Sequence, residues 1–109
     1  MGDLRSVNLG ALEKVPPGQG RCFLVRGEEI AVFRQRDGRV FAVQNRCPHR
    51  QGPLSEGVLG GGKLICPLHA WKFDLATGEG PDPAVRLKTW TARVEKGEIL
   101  IDLEPAAVS

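Results

Sequence analysis

Two short segments hold both histidines of the chain: Cys47-Pro48-His49 and Cys66-Pro67-Leu68-His69. The pattern is a C-x-H triplet, sixteen intervening residues, and a C-x-x-H quartet. Each half is a short loop able to aim one thiolate and one imidazole at a common centre. Pro48 and Pro67 each follow a cysteine, stiffen the loop and lack an N–H, leaving neighbouring amides to point at sulfur. The count of three cysteines is odd and excludes a complete disulfide framework. In a reducing cytosol, clustered Cys and His read as metal ligands or catalysts. Tetrahedral zinc is one candidate, but zinc fingers pair like ligands with like along the sequence. A mixed pair in each loop suits a two-metal cluster, with both thiolates on one iron and both imidazoles on the other.

The surroundings agree with a loop-rich site on a β scaffold. A chain of 109 residues is long enough for one core and too short for two, so residues 1–109 read as a single domain. Fourteen glycines and eight prolines favour short strands and turns over a helical bundle. Apolar runs at Arg21–Val25, Ile30–Phe33, Arg39–Val43, Leu87–Val94 and Glu98–Leu103 predict strands, with turns at Arg26-Gly27-Glu28, Asp37-Gly38 and Lys96-Gly97. Leu9–Val15 predicts a short helical turn stopped by Pro16-Pro17-Gly18. Between Asn45 and Pro83 the periodicity fails, and so long an irregular stretch in a small domain points to function.

The two loops resemble the ligand loops of Rieske proteins. The resemblance extends over Gly52–Gly57, Trp71–Asp74, Thr77-Gly78 and Gly80–Pro83, and the flanking strands match in order. It implies an all-β fold: an antiparallel β-sandwich or barrel scaffold with a cluster-binding subdomain inserted at about residues 45–83. It further implies one [2Fe-2S] cluster, with Cys47 and Cys66 on the inner iron and His49 and His69 on the outer one. Gly80–Pro83 resembles the proline loop that covers the cluster.

Two ferric ions, two sulfides and two thiolates sum to zero formal charge, whereas a four-thiolate cluster starts doubly negative. Neutral imidazoles thus ease reduction and raise the potential above that of plant-type ferredoxins. High-potential relatives in cytochrome bc complexes place Ser and Tyr donors after the second His and a disulfide between the loops. Here those positions hold Trp71, Phe73, Gly52 and Leu68, and the chain has no Tyr at all. The resemblance therefore implies a low-potential, ferredoxin-type single-electron carrier. Within the family, Pro53–Gly57 and Cys66–Leu75 resemble the small subunit of assimilatory NAD(P)H nitrite reductase, whose partner would be a large subunit with flavin, iron–sulfur and siroheme groups. The alternative is the ferredoxin of an aromatic-ring dioxygenase, working between a flavin reductase and a terminal oxygenase. A structural zinc or interaction module is the reading from another class.

Other features carry less. Gly57–Lys63 nearly spells a phosphate loop, but Leu64 stands where its hydroxyl residue belongs and the run leads into a strand, Lys63–Ile65. A flexible turn between ligand loops is the expectation there. Cys22, in an apolar run, is expected to be a buried, inert thiol. Trp71 is expected to pack under the cluster loop or to help dock a partner, and Trp90 to lie in the core or on a hairpin face. Asp74 and Glu56 are expected to cap turn amides. No nucleophile–base pair or carboxylate dyad is visible, so the domain is expected to be an electron-transfer subunit with no catalytic site of its own. A second catalytic domain with a mononuclear iron does not fit in this length. The formal charge of +2 gives no reason to invoke nucleic acid. Without an apolar run near the roughly 18 residues of a membrane span or a leader-like N-terminus, a cytoplasmic chain without a membrane partner is expected. Met1-Gly2 with Ser6 only superficially fits a myristoylation pattern.

Overall fold

Tight turns divide the chain into hairpins. Arg26-Gly27 (φ 52° and 82°) and Lys96-Gly97 (φ 53° and 77°) each place two successive residues at positive φ. That conformation matches the right-handed twist of the strands it joins. The computed structural model describes residues 6–46, 53–60, 63–66, 72–80 and 86–102. Among these residues nine strands run in chain order: β1 (Ser6–Ala11), β2 (Gln19–Val25), β3 (Glu28–Arg34), β4 (Val40–Gln44), β5 (Val58–Gly60), β6 (Lys63–Ile65), β7 (Lys72–Asp74), β8 (Thr89–Glu95) and β9 (Glu98–Asp102). Two short 3-10 turns, Leu12–Lys14 and Leu54–Glu56, join them, and the described residues contain no α-helix.

The strands form two antiparallel sheets. The larger has the order β1-β9-β8-β4-β3-β2 and the smaller β5-β6-β7. Ala42 and Val43 of β4 pair directly with Trp90 and Thr89 of β8. The small sheet and its loops are therefore an insertion between two neighbouring strands of the scaffold, as expected. One apolar cluster (Val25, Ile30, Val32, Trp90, Ile99 and Ile101 among its members) lies inside the curl of the larger sheet. A second joins its other face to the insertion through Ala31, Phe33, Val43, Leu54, Leu64, Cys66 and Phe73. Burying each large apolar side chain contributes roughly 1.5–3 kcal/mol before conformational entropy is counted.

Three sequence expectations change. Leu9 lies in β1 rather than in a helical turn, because β1 pairs with β9 from Ser6↔Asp102 to Ala11↔Glu98. A bulge between Asn8 and Gly10, with Gly10 at φ 104°, breaks the alternation that would have identified the strand. Only Leu12–Lys14 turns, as a 3-10 turn. Secondly, the expected irregular middle contains β5 and β7 besides the expected strand β6, each only three residues long. The near-phosphate-loop run supplies β5 and the first residue of β6, Gly61 and Gly62 between them lie outside the described residues, and Lys63 Nζ bonds Asp74 Oδ2 at 3.3 Å. Thirdly, Cys22 is exposed, not buried. It lies on the edge strand β2, where alternation puts Gly20, Cys22 and Leu24 on one face. The 3-10 turn Leu54–Glu56 approaches that face at Gly20, where an added Cβ would sit 3.0 Å from the Ser55 carbonyl oxygen. Leu24 is 72% exposed.

Candidate metal centre

Three antiparallel pairs close three loops. Arg46 pairs with Pro53, Ile65 with Lys72, and Glu79 with Arg86, each pair enclosing six residues. Cys47 is the first residue of one loop and Cys66 the first of the next. The third spans 80–85 and includes the Gly-Pro-Asp-Pro run.

The backbone brings the bases of these loops together. Gly57 lies so close to the end of β6 that a Cβ there would sit 2.4 Å from the Ile65 carbonyl oxygen, and Val58 pairs with Ile65. That ties the downstream end of the first loop to the upstream end of the second. Asp74 N–H donates to the Glu79 carbonyl at 2.8 Å after a reversing turn, so the chain returns alongside β7 into the third loop. Its far end meets β4, where Gln44 N–H donates to the Lys88 carbonyl at 2.9 Å and Lys88 N–H to Gln44 Oε1 at 2.7 Å. Asp74 Oδ1 caps the turn by accepting from Ala76 and Thr77 N–H at 2.9 and 3.0 Å, as expected of it. Those bonds, led by the one from Thr77, hold its carboxyl below the usual carboxylate range.

Cys66 is 1% exposed and packs in the apolar cluster with Leu54, Leu64 and Phe73. Asn45 is the one buried polar residue among those described, at 5% exposure. Its carbonyl accepts from Leu54 N–H at 2.6 Å and its Oδ1 from Ser55 N–H at 2.9 Å, while its Nδ2 donates to Glu29 Oε1 at 3.1 Å. Arg46 donates to the same carboxylate through Nε and Nη2 at 3.0 and 3.2 Å. Arg46, and after it Asn45, hold the Glu29 carboxyl below its usual range. Asn45 carries no sequence signal of its own; its partners lie ten residues downstream and sixteen upstream.

Of the residues expected at the site, Cys66 is within the described set. Cys47, His49 and His69 lie outside the described residues, as do Gly52, Leu68, Trp71 and Pro81–Pro83. Among the described residues no group of three or more Cys, His, Asp or Glu forms a metal site. The donor chemistry nonetheless fits a two-iron cluster. A buried thiol opens one loop, another thiol opens a second loop of equal length, and each loop carries one imidazole further on. Cys22 lies on β2, outside the two loops. Partial burial of its sulfur and the nearby Glu29 carboxylate push its thiol up, with Arg46 offsetting part of the effect. Trp90 lies in the scaffold core as expected, with Lys88 Nζ 4.9 Å from its ring centroid. No helix among the described residues is long and apolar enough to cross a membrane.

The Rieske [2Fe-2S] domain matches residues 6–91. The chain is 36% identical over 101 residues to the biphenyl dioxygenase ferredoxin subunit of Pseudomonas sp. KKS102, covering 90% of this chain and 92% of that protein. It is 37% identical over 97 residues to the 4β-methylsterol monooxygenase of Methylococcus capsulatus, of which it spans only 26%. Among solved structures, a Mycobacterium tuberculosis protein assigned as an NADH-dependent nitrite reductase small subunit superposes with a TM-score of 0.85 at 28% identity, covering 93% of this chain and 96% of that one. The ferredoxin of carbazole 1,9a-dioxygenase from Nocardioides aromaticivorans gives 0.81 at 30% identity, covering 91% and 98%. With the fold, the paired loops and these similarities in agreement, the chain belongs to the Rieske [2Fe-2S] domain family and carries one Rieske-type [2Fe-2S] cluster.

Proposed function

We propose that the protein is a low-potential single-electron carrier, with Cys47 and Cys66 holding the inner iron and His49 and His69 the outer one. The observation that carries this reading is the pair of equal loops, each opened by a cysteine and closed by an antiparallel rung. When bound, the cluster supplies reversible one-electron chemistry. The chain's own part is to seat one thiol in an apolar core and to hold the bases of both loops at one end of the scaffold. The low potential follows from Trp71 and Phe73 standing where high-potential relatives have hydroxyl donors.

For the partner, the first reading is the large subunit of an assimilatory NAD(P)H nitrite reductase. Support comes from the Pro53–Gly57 and Cys66–Leu75 segments and from two structures of matching length assigned as nitrite reductase small subunits, with TM-scores of 0.83 and 0.85. The second reading, a ferredoxin between a flavin reductase and a terminal oxygenase, is favoured by the 36% identity to a dioxygenase ferredoxin over nearly its whole length. Either role places the protein in an electron-transfer complex, and we assign it to the cytoplasm.

Iron and acid-labile sulfide analysis, with visible and electron paramagnetic resonance (EPR) spectra, tests the ligand set. His69→Cys adds a negative ligand and should lower the potential or lose the cluster; an unchanged spectrum and potential would remove His69 from the set. The partner is tested by mixing the reduced protein with a siroheme nitrite reductase large subunit and, separately, with a terminal oxygenase. Oxidation by the first alone supports the nitrite reductase role, and oxidation by the second alone replaces it with the ferredoxin role.

A further inference from the structure

Asn45 stands two residues before Cys47 and fastens the base of the first loop from three sides. Its carbonyl and Oδ1 take the N–H groups of Leu54 and Ser55, the residues that leave the loop, and its Nδ2 reaches across to Glu29 on β3. Leu54, held by the first of these bonds, is fully buried in the cluster that contains Cys66. One residue thus links the entry and exit of the first loop to the core that seats the second loop's cysteine. A buried amide is expensive unless its polar atoms have partners, and here both ends of the amide are used.

We propose that Asn45 is a positioning residue for the iron–sulfur site, setting the first ligand loop against Cys66 through its bonds to Ser55 and Glu29. The inference rests on the reading that Cys47 is an iron ligand. Groups that orient ligands govern both how tightly the metal is held and its electronic character. The Ser55 and Glu29 bonds therefore act on the iron site as well as on the stability of the fold.

The test uses the cluster-loaded protein and reverses one hydrogen bond. Asn45→Asp keeps an acceptor for Ser55 N–H but loses the donor toward Glu29 and sets two carboxylates together. It should speed release of iron to a chelator by about 10- to 100-fold, and shift the g values and midpoint potential of the reduced cluster. Glu29→Gln alone retains an acceptor oxygen for the Asn45 amide and should have a smaller effect. In the double variant the amide introduced at position 29 donates to the carboxylate introduced at position 45. Release rate, g values and potential should then return toward those of the unaltered protein. Should Asn45→Asp fail to fold, Glu29→Ala, at a surface carboxylate, removes the same partner and should shift the g values.

Asp37→Ala is the control for a purely structural effect. It removes the bonds to Arg39 N–H and Nε (3.0 and 2.9 Å) at the opposite end of β4, and should lower the melting temperature without moving g values or potential. The proposal is overturned if Asn45→Asp (or Glu29→Ala in its place) lowers only the melting temperature, or if the double variant shows no rescue. A Rieske signal missing from the unaltered protein would instead overturn the ligand reading itself.

Discussion

Ile65 pairs with Lys72 across the last rung of β6 and β7, and Cys66 leaves that rung buried among Leu54, Leu64 and Phe73. Its position makes Cys66 both a core residue and, in our reading, an iron ligand. Cys66→Ser should therefore lose the bound iron and sulfide. Placing a hydroxyl in an apolar cluster should also cost about 1–3 kcal/mol of stability. Cys22→Ser, on the exposed face of β2, should keep the full iron content and change stability by less than about 0.5 kcal/mol. Metal analysis and urea unfolding of the two variants check both statements, and equal iron retention would contradict them.

Gly57 is needed for close approach rather than for an unusual backbone angle. A Cβ there would meet the Ile65 carbonyl oxygen at 2.4 Å and a Leu64 methyl carbon at 2.9 Å, which forces the backbone between the loops to move. Gly57→Ala should cost about 1–3 kcal/mol, as overpacking does. Gly60→Ala meets nothing within 4 Å and should stay within about 0.5 kcal/mol of the parent. Comparable denaturation midpoints for the two would show that the contact is relieved more easily than the geometry indicates.

Leu54 is 0% exposed and carries the N–H that closes on Asn45. Truncation to Ala should destabilise by about 2–5 kcal/mol. It should also hasten cluster loss, because the cavity opens beside Cys66. Thermal melts of the protein with and without iron separate the two effects; a cost below about 1 kcal/mol would remove Leu54 from the principal core.

Acid should weaken the junction of β1, β8 and β9. Arg93 donates to Asp102 Oδ1 at 2.6 Å, Ser6 Oγ donates to the same oxygen at 2.8 Å, and these bonds hold the Asp102 carboxyl below its usual range. A carboxyl lowered in the folded state contributes stability that is fully present above its unfolded pKa of about 3.9. That contribution is lost as pH falls from there through the lower folded value. Asp102→Asn should flatten the acid limb of melting temperature against pH in that window. Identical limbs in variant and parent would contradict the assignment.

The hairpins were legible because Asp37-Gly38, Arg26-Gly27 and Lys96-Gly97 are local signals that need no tertiary information. β5 and β7 were not, since a strand of three residues turns too few side chains inward to show a period. Cys22 was misread because an apolar run does not reveal that its strand lies at a sheet edge. At the site, four ligand candidates stood out because the chain's only two histidines each follow a cysteine closely. The three loop-closing pairs and the Asn45 bonds were hidden, because each depends on register between segments that only the folded chain brings together.

An EPR-monitored redox titration of the iron-loaded protein tests the low-potential carrier most directly. A single one-electron wave should appear, with a midpoint near the bottom of the Rieske range, at about −150 mV. The signal should be rhombic and appear on reduction. A midpoint above about +100 mV, or a protein that binds zinc and gives no such signal, would contradict the assignment.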